Sequence, residues 1–331
     1  MVDIATTYLG LELRSPVVAS CSPLTGRLES LRALQDAGVG AVVLPSLFQE
    51  EVEAEELAAD ALQGTGDDFA EFASAPLPDI DWDQLGPERH LRLLGQAKQV
   101  LQVPVLASVN GVRPGDWAKY ARLLSDAGAD GIELNLYSVN TDPDESSEAV
   151  EDRYLRIISM VRAQIEVPLA VKLSQHITSL SNFARRAEDA GANGLVLFNR
   201  FYGAEVDLDS LALTSRLTLS SPEELRFPLR WIGILRAQRP GLSLAATTGV
   251  HSGLDAVKAL LVGADVTCTT AAVLLHGPGW VGRMIAELTD WLVEHDYESV
   301  RQLQGSMSAE NVADPAAYER AQYMKVITSQ A

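Results

Sequence analysis

One rhythm runs through this chain and limits what it can fold into. A short apolar strand is followed by a helix pattern ending near Ala-Gly, then by another strand. "PVVAS" (16–20) leads to "LESLRALQDAGVG" (28–40), and "AVVLPS" (41–46) follows. "VPVLASVNG" (103–111) leads to "DWAKYARLLSDAGAD" (116–130), and "GIELNLY" (131–137) to a helix over 149–164. "VPLAVKLS" (167–174) leads to "LSNFARRAEDAGAN" (180–193), and "GLVLFN" (194–199) comes sixth. "LSLAATTG" (242–249), "GLDAVKALLVGAD" (253–265), "VTCTTAAV" (266–273) and a helix at 280–294 complete the set. Alternation of this kind predicts parallel β/α units. Val, Leu and Ala on both strand faces predict a sheet covered by helices. Eight units are the number a closed barrel needs, so the predicted fold is α/β, a TIM (β/α)8 barrel. An open doubly wound sheet would carry a glycine fingerprint after its first strand. "SCSPLTGRLES" fits that fingerprint poorly.

The whole chain, 1–331, reads as a single barrel domain with additions. "TYLGLELRSP" (7–16) predicts a hairpin ahead of the first barrel strand. Residues 47–96 read as an insertion or lid after strand two, and 200–230 as an insertion after strand six. Both follow strands, which puts them on the face where barrels keep active sites. Residues 300–331 read as a C-terminal extension with a last helix near 315–327. The acidic run "EEVEAEELAAD" reads as a solvated helix face.

Formal charge is −19, from 45 acids against 26 Lys and Arg. Such a surface repels nucleic-acid phosphates and anionic lipid. No 18-residue apolar run appears, so no membrane span is expected. Cys21 and Cys268 lie far apart, with no metal-site spacing, and their usage fits a reducing compartment. The first residues carry no basic stretch leading into an apolar one. A soluble cytoplasmic protein without a metal is expected, with a homodimer as a candidate assembly.

Polar side chains gather where the apolar strands end: Asn110, then Asn135, Ser138 and Asn140, then Asn199, Thr247, Thr248 and Gly249, with Thr269 and Thr270 in strand eight. In a barrel these ends converge on one mouth. Lys172 interrupts "VPLAVKLS", and a buried lysine demands a partner. One reading is an ion pair with Glu133 on the adjacent strand. The other is a cation placed beside an anion or an electron-rich ring. The asparagines pair a donor with an acceptor, as a cyclic amide does, though asparagine also closes strands by bonding backbone. Ser138 is the candidate proton shuttle. Gly249 and Gly253 open a helix whose first amides suit a phosphate, with Thr269 and Thr270 nearby, or else an ordinary capped helix. His251 and His276 show no ligand spacing and read as solvent or packing residues. Arg200, Arg226 and Arg230 are basic within an acidic chain and suit an anionic substrate as well as surface balance.

These stretches together resemble the dihydroorotate dehydrogenase family over about residues 6–295. The likeness is clearest at "GADGIELNLYSVNTD", "VPLAVKLS", "GLVLFN" and "TTGVHSGLDAVKALLVGADV". "LFNRFYGAEVDLD" and "SPEELRFPLRWIGIL" look like a branch of dihydroorotate dehydrogenase-like proteins. The resemblance implies a flavoprotein barrel of pyrimidine biosynthesis that binds FMN. It implies proton removal from one carbon of dihydroorotate, or a related small cyclic amide, and hydride transfer to flavin N5. By motif position, Asn135, Asn140 and Asn199 match substrate-holding asparagines. Lys172 matches the flavin-contacting lysine, and Ser138 the catalytic base. Asn110, Thr248, Gly249, Thr269 and Thr270 match cofactor positions. The electron acceptor is unknown.

The chain departs from the family pattern at Tyr137 and Val139 in the strand-four motif, and at Pro45 where a lysine is usual. Thr248 and Thr269 stand where glycines are usual. Two other readings stay open at this point. One is a non-catalytic barrel acting as a partner or regulatory protein. The other is an aldolase-type enzyme using Lys172 as a Schiff-base amine.

Overall fold

The computed structural model describes residues 2–48, 87–110, 116–136, 138–200, 203–214, 218–319 and 328. Its centre is a closed barrel of eight parallel strands. In chain order these are β3 (Val17–Ala19), β4 (Ala41–Phe48), β5 (Val105–Asn110), β6 (Gly131–Leu136), β7 (Leu169–Ser174), β8 (Gly194–Asn199), β11 (Ser243–Thr247) and β12 (Val266–Thr269), with β12 closing onto β3. The predicted barrel is therefore present, with each strand where the apolar runs placed it. One boundary differs. The apolar run 266–273 leaves the sheet after Thr269, and Ala271–His276 form a short helix, α8, with Thr270 at its N-cap position.

The surrounding helices are α1 (Leu28–Asp36), α2 (Pro87–Val100), α3 (Asp116–Asp126), α4 (Ser147–Arg162), α5 (Leu180–Asp189), α6 (Arg226–Gln238), α7 (Gly253–Val262) and α9 (Trp280–Glu294). Short helices α10 (Val300–Leu303) and α11 (Ala316–Glu319) follow. Alternation sorts each strand into two faces. Ile132, Leu134 and Leu136 of β6, like Leu169, Val171 and Leu173 of β7, point outward into the large core shared with the helices. The intervening residues point into the barrel.

The barrel interior is itself two-layered. The N-terminal hairpin, β1 (Thr6–Tyr8) with β2 (Leu11–Leu13), plugs one end. Tyr8, Leu9 and Leu13 pack there against Val18, Ala41, Val43, Leu106, Ala170, Val196, Ala245 and Val266. Water is excluded from that end. The interior polar residues, Ser20, Ser46, Ser108, Asn110, Glu133, Asn135, Lys172 and Thr247, stand towards the opposite end. The apolar plug thus decides which mouth of the barrel can hold a ligand.

Of the expected insertion 47–96, residues 49–86 lie outside the described residues, while its end is the start of α2, which packs on the barrel. The 200–230 segment contains an exposed hairpin of β9 (Glu205–Asp207) and β10 (Ala212–Thr214), a 3-10 turn (Pro222–Leu225) and the first turn of α6. The last helix expected near 315–327 is described only over α11.

His90 of α2 is buried against Leu44, Leu93 and Leu124. Burial, aided by the Arg89 charge, lowers its pKa to about 4. A depressed histidine is neutral in the fold but charges readily when unfolded. It therefore favours the fold above the unfolded pKa of about 6.5, and that contribution is lost as pH falls through about 4. Chemical denaturation across that window is expected to show a loss of about 3 kcal/mol from this group. His90→Leu is expected to flatten the dependence.

Candidate active site

Strand register brings the interior polar groups side by side. Asn110 aligns with Asn135, and Asn135 with Lys172, on the three consecutive strands β5, β6 and β7. One layer closer to the plug, Ser46 aligns with Ser108, and Ser108 with Glu133. A register shift in β4 between Val43 and Ser46, where Leu44 and Pro45 intervene, sets Ser46 in this row.

The Lys172 amine lies 3.3 Å from Glu133 Oε1 and 3.5 Å from Ser20 Oγ. The Glu133 pairing expected from the sequence is present, but it does not use up the ammonium. Both contacts are long for hydrogen bonds, and an ammonium has three donors. Lys172 also lines a cavity at the mouth, so donor capacity remains directed at it. Burial alone would lower the amine pKa. The facing Glu133 carboxylate outweighs that and holds it above the ordinary lysine value. The amine is therefore a persistent cation, which serves a negative centre and disfavours the neutral amine a Schiff base requires.

The cavity, about 180 Å³, is walled by three segments at strand ends: Ser20–Pro23 after β3, Thr247–Val250 after β11, and Thr270–Ala271 after β12. Asn199 at the end of β8 faces it, with Phe198 and Arg200 beside it. Thr218, Leu219 and Ser220 cross over it as a strap. Arg200 holds the strap down: its Nε donates to Glu224 at 2.9 Å, and its guanidinium also reaches the Thr218 carbonyl. Ser220 meets His251 Nε2 at 3.2 Å. His276, exposed, stacks on Trp280 at 4.1 Å.

The sequence-predicted residues divide between this cavity and its surroundings. Lys172, Asn199, Thr248, Gly249 and Thr270 line it. Asn135 is buried next to Lys172, and its amide donates to Ser108 Oγ at 2.9 Å and to the Val109 carbonyl at 3.2 Å. Asn110 is buried beside it in register. Thr269 is buried and its hydroxyl donates to the Val250 carbonyl at 3.1 Å, bracing the loop after β11. Ser138 and Asn140 sit just beyond β6, Ser138 half-buried and Asn140 exposed. Ser138 Oγ donates to Asn140 Oδ1 at 2.7 Å and meets the Tyr154 phenol at 2.8 Å, while Arg153 also donates to Asn140 Oδ1. Tyr137, between Leu136 and Ser138, lies outside the described residues.

Of the two readings of the α7 N-terminus, the ordinary capped helix is the one present: Ser252 is its N-cap, and its hydroxyl accepts from the Asp255 amide. The His251 and Ser252 amides donate to Asp255, and the Gly253 amide donates to Glu287 at 2.8 Å. The chain's own carboxylates already occupy this helix end. The glycines also serve the chain itself. A Cβ on Gly253 would lie 2.3 Å from the Met284 carbonyl, and one on Gly249 would lie 2.4 Å from the Leu225 nitrogen. The Thr248–Val250 and Thr270–Ala271 turns line the cavity further along. Thr248 has a left-handed backbone (φ 73°), uncommon for a β-branched residue, and its hydroxyl bonds the Phe198 carbonyl.

Several wall residues were not assigned to the site from sequence, among them Ser20, Cys21, Phe198 and the strap residue Ser220. Ser20 continues the inward alternation of Val18, a signal available in "VVASC" but obscured by reading that place only for glycines. Cys21 and Cys268 both line the cavity; burial raises both thiols, Cys268 to about 12, so both stay protonated. Among the described residues no His/Cys/Asp/Glu group is arranged to hold a metal. No helix among them is long and apolar enough to cross a membrane.

A barrel mouth with a buried cation, an amide side chain and two polar turns fits a planar group with a phosphate tail, as FMN is. Comparison with known proteins agrees. The family described as "Dihydroorotate dehydrogenase" matches residues 87–292. The catalytic subunit of dihydroorotate dehydrogenase B (NAD(+)) from Thermoplasma volcanium is 25% identical over 317 residues, covering 92% of this chain and 98% of that protein. Dihydroorotate dehydrogenase A (fumarate) from Limosilactobacillus reuteri is 26% identical over 302 residues, covering 86% and 92%. A B-type catalytic subunit from Citrifermentans bemidjiense is 29% identical over 220 residues, covering 62% and 69%. The match spans well over half of the chain, including the strands that carry Lys172 and Asn199, and on that ground the chain belongs to the dihydroorotate dehydrogenase family.

Proposed function

We propose that this chain is an FMN-dependent oxidoreductase acting on a CH–CH group, with dihydroorotate or a closely related cyclic amide as substrate. Membership of the family supports the reaction class. The observation that carries the reading to these residues is the Lys172 ammonium, buried and positively charged, facing the same cavity as Asn199. Bound there, FMN supplies the hydride acceptor. Lys172 stabilises negative charge at the ring, an electrostatic contribution that is large in a dry site. Asn199 orients the substrate by its donor and acceptor, and Asn135 holds the neighbouring wall through Ser108. Ser138 takes the substrate proton, with Asn140 and the Tyr154 phenol fixing its hydroxyl. The turns at Thr248–Gly249 and Thr270 receive the phosphate, Thr269 bracing the first of them, and Asn110 supports the ring from the β5 side. A persistent cation at Lys172 argues against the aldolase reading.

The electron acceptor is not proposed: the relatives' names differ on it, one naming NAD(+) and another fumarate. A cytoplasmic site of action and a homodimer complete the proposal, the former in keeping with two free cysteines. The test is spectroscopic. Purified protein supplied with FMN is expected to show the bound-flavin visible bands, and anaerobic dihydroorotate is expected to bleach them. Failure to bind FMN would overturn the cofactor assignment. Binding without bleaching would move the substrate to another cyclic amide.

A further inference from the structure

Two arginines singled out in the sequence play no part in the site above. Arg226 and Arg230 lie one turn apart on α6, and with Phe227, Trp231, Gln175 and His176 they line a separate open cleft of about 430 Å³. Phe227 is 61% exposed, an unusual state for a phenylalanine on a helix of this barrel, while Trp231 packs its other side on the core. The cleft shares a wall with a hollow further in. Phe198, Gln175 and Phe227 also line an adjoining hollow with Asn199, Arg200 and Thr248, and those last three residues line the reaction cavity. Shared wall residues thus place the arginine cleft next to the hollow that adjoins the reaction cavity.

The charges are out of keeping with their surroundings. In a chain of net charge −19, the cleft has two guanidiniums and no carboxylate in its lining. Glu224 lines the intermediate hollow but is engaged by Arg200. The Glu223 carboxyl, held below its ordinary value chiefly by its Ser221 hydrogen bond and to a lesser degree by the Arg226 charge, lies outside the cleft lining. Arg230 has no such neighbour among the described residues. Guanidiniums bind carboxylate and phosphate through paired donors, and aromatic faces bind flat rings.

We infer that this cleft is a second ligand site, outside the reaction cavity, for a planar organic anion bearing a carboxylate or a phosphate. Arg226 and Arg230 bind the anionic group and Phe227 covers the ring. The two anion sources are separated by probe. The FMN-supplied full-length protein is titrated calorimetrically with adenosine 5′-diphosphate and, separately, with benzene-1,3-dicarboxylate. Saturable binding of one probe is expected, and which one binds identifies the anion. Arg226→Ala/Arg230→Ala is expected to weaken that probe by at least about tenfold. Arg226→Lys/Arg230→Lys is expected to keep part of the affinity, because charge survives without the fork. Phe227→Ala is expected to weaken binding with flavin content unchanged. All these positions are exposed or at the helix surface, and visible flavin absorbance reports that the fold persists. Absence of binding by both probes, or equal binding by the double alanine variant, overturns the inference. The cleft does not depend on FMN, so a protein that binds a probe but no flavin would sink only the cofactor reading.

Discussion

Replacing Lys172 by methionine is expected to cost about 3–5 kcal/mol of folding stability and to slow flavin reduction by at least about a hundredfold. The two losses have different origins. Methionine leaves the Glu133 carboxylate buried without its cation, since the pair is 3.3 Å apart with side chains only 10% and 2% exposed. Removing one partner of such a pair is far costlier than removing both. The double variant Lys172→Met/Glu133→Gln is therefore expected to recover most of the stability in urea denaturation. It is not expected to recover anaerobic bleaching, because the positive charge facing the cavity is still gone. If the double variant reduced flavin at the normal rate, Lys172 would be a structural ion-pair partner and nothing more. Recovery of stability with loss of reduction separates the two roles.

Gly249→Ala is expected to destabilise the protein by about 2–5 kcal/mol and to weaken FMN binding on the order of tenfold. The backbone there is left-handed (φ 81°), and a Cβ would meet the Leu225 nitrogen at 2.4 Å and its Cα at 2.9 Å. Leu225 ends the turn that anchors the strap of Thr218–Ser220 over the cavity, so the clash is transmitted to the cavity roof. Gly277→Ala is the control for space. Its backbone (φ 82°, ψ 170°) is also one that glycine favours, yet a Cβ would meet nothing within 4 Å. It is expected to cost about 1–3 kcal/mol from backbone conformation alone and to leave FMN affinity unchanged. Equal effects of the two substitutions in denaturation and flavin titration would remove the strap from the account.

The particular residues show where sequence reasoning succeeds. Alternating apolar runs separated by helix patterns announce eight covered parallel strands, because the pleat puts every second residue on one face. Lys172 stood out for the same reason: a charge within a doubly covered strand needs a partner, and Glu133 was the only acid at a matching place on the adjacent strand. Asn199 and Thr270 at strand ends were legible because strand ends converge in a barrel. Ser20 and Cys21 were not, since small polar residues after a strand look alike whether they face solvent or a cavity. The α7 N-terminus carried two readings, a phosphate site and an ordinary capped helix, and the structure shows the second, with Ser252 at the N-cap. Asp255 was visible three residues on as a capping residue, but Glu287 comes from another helix, and no local pattern announces it.

The sequence by itself determined the barrel, the order of its strands and which side chains can point inward, because periodicity is a local property of the backbone. Only the tertiary structure decided which inward groups meet. Closing the barrel brought Lys172 against both Glu133 and Ser20, residues 39 and 152 positions away. The hairpin plug decided which mouth stays open, and the strap held by Arg200 decided where the cavity ends. Those outcomes depend on contacts between distant segments, whose geometry is set by packing and register and not by any neighbouring residue.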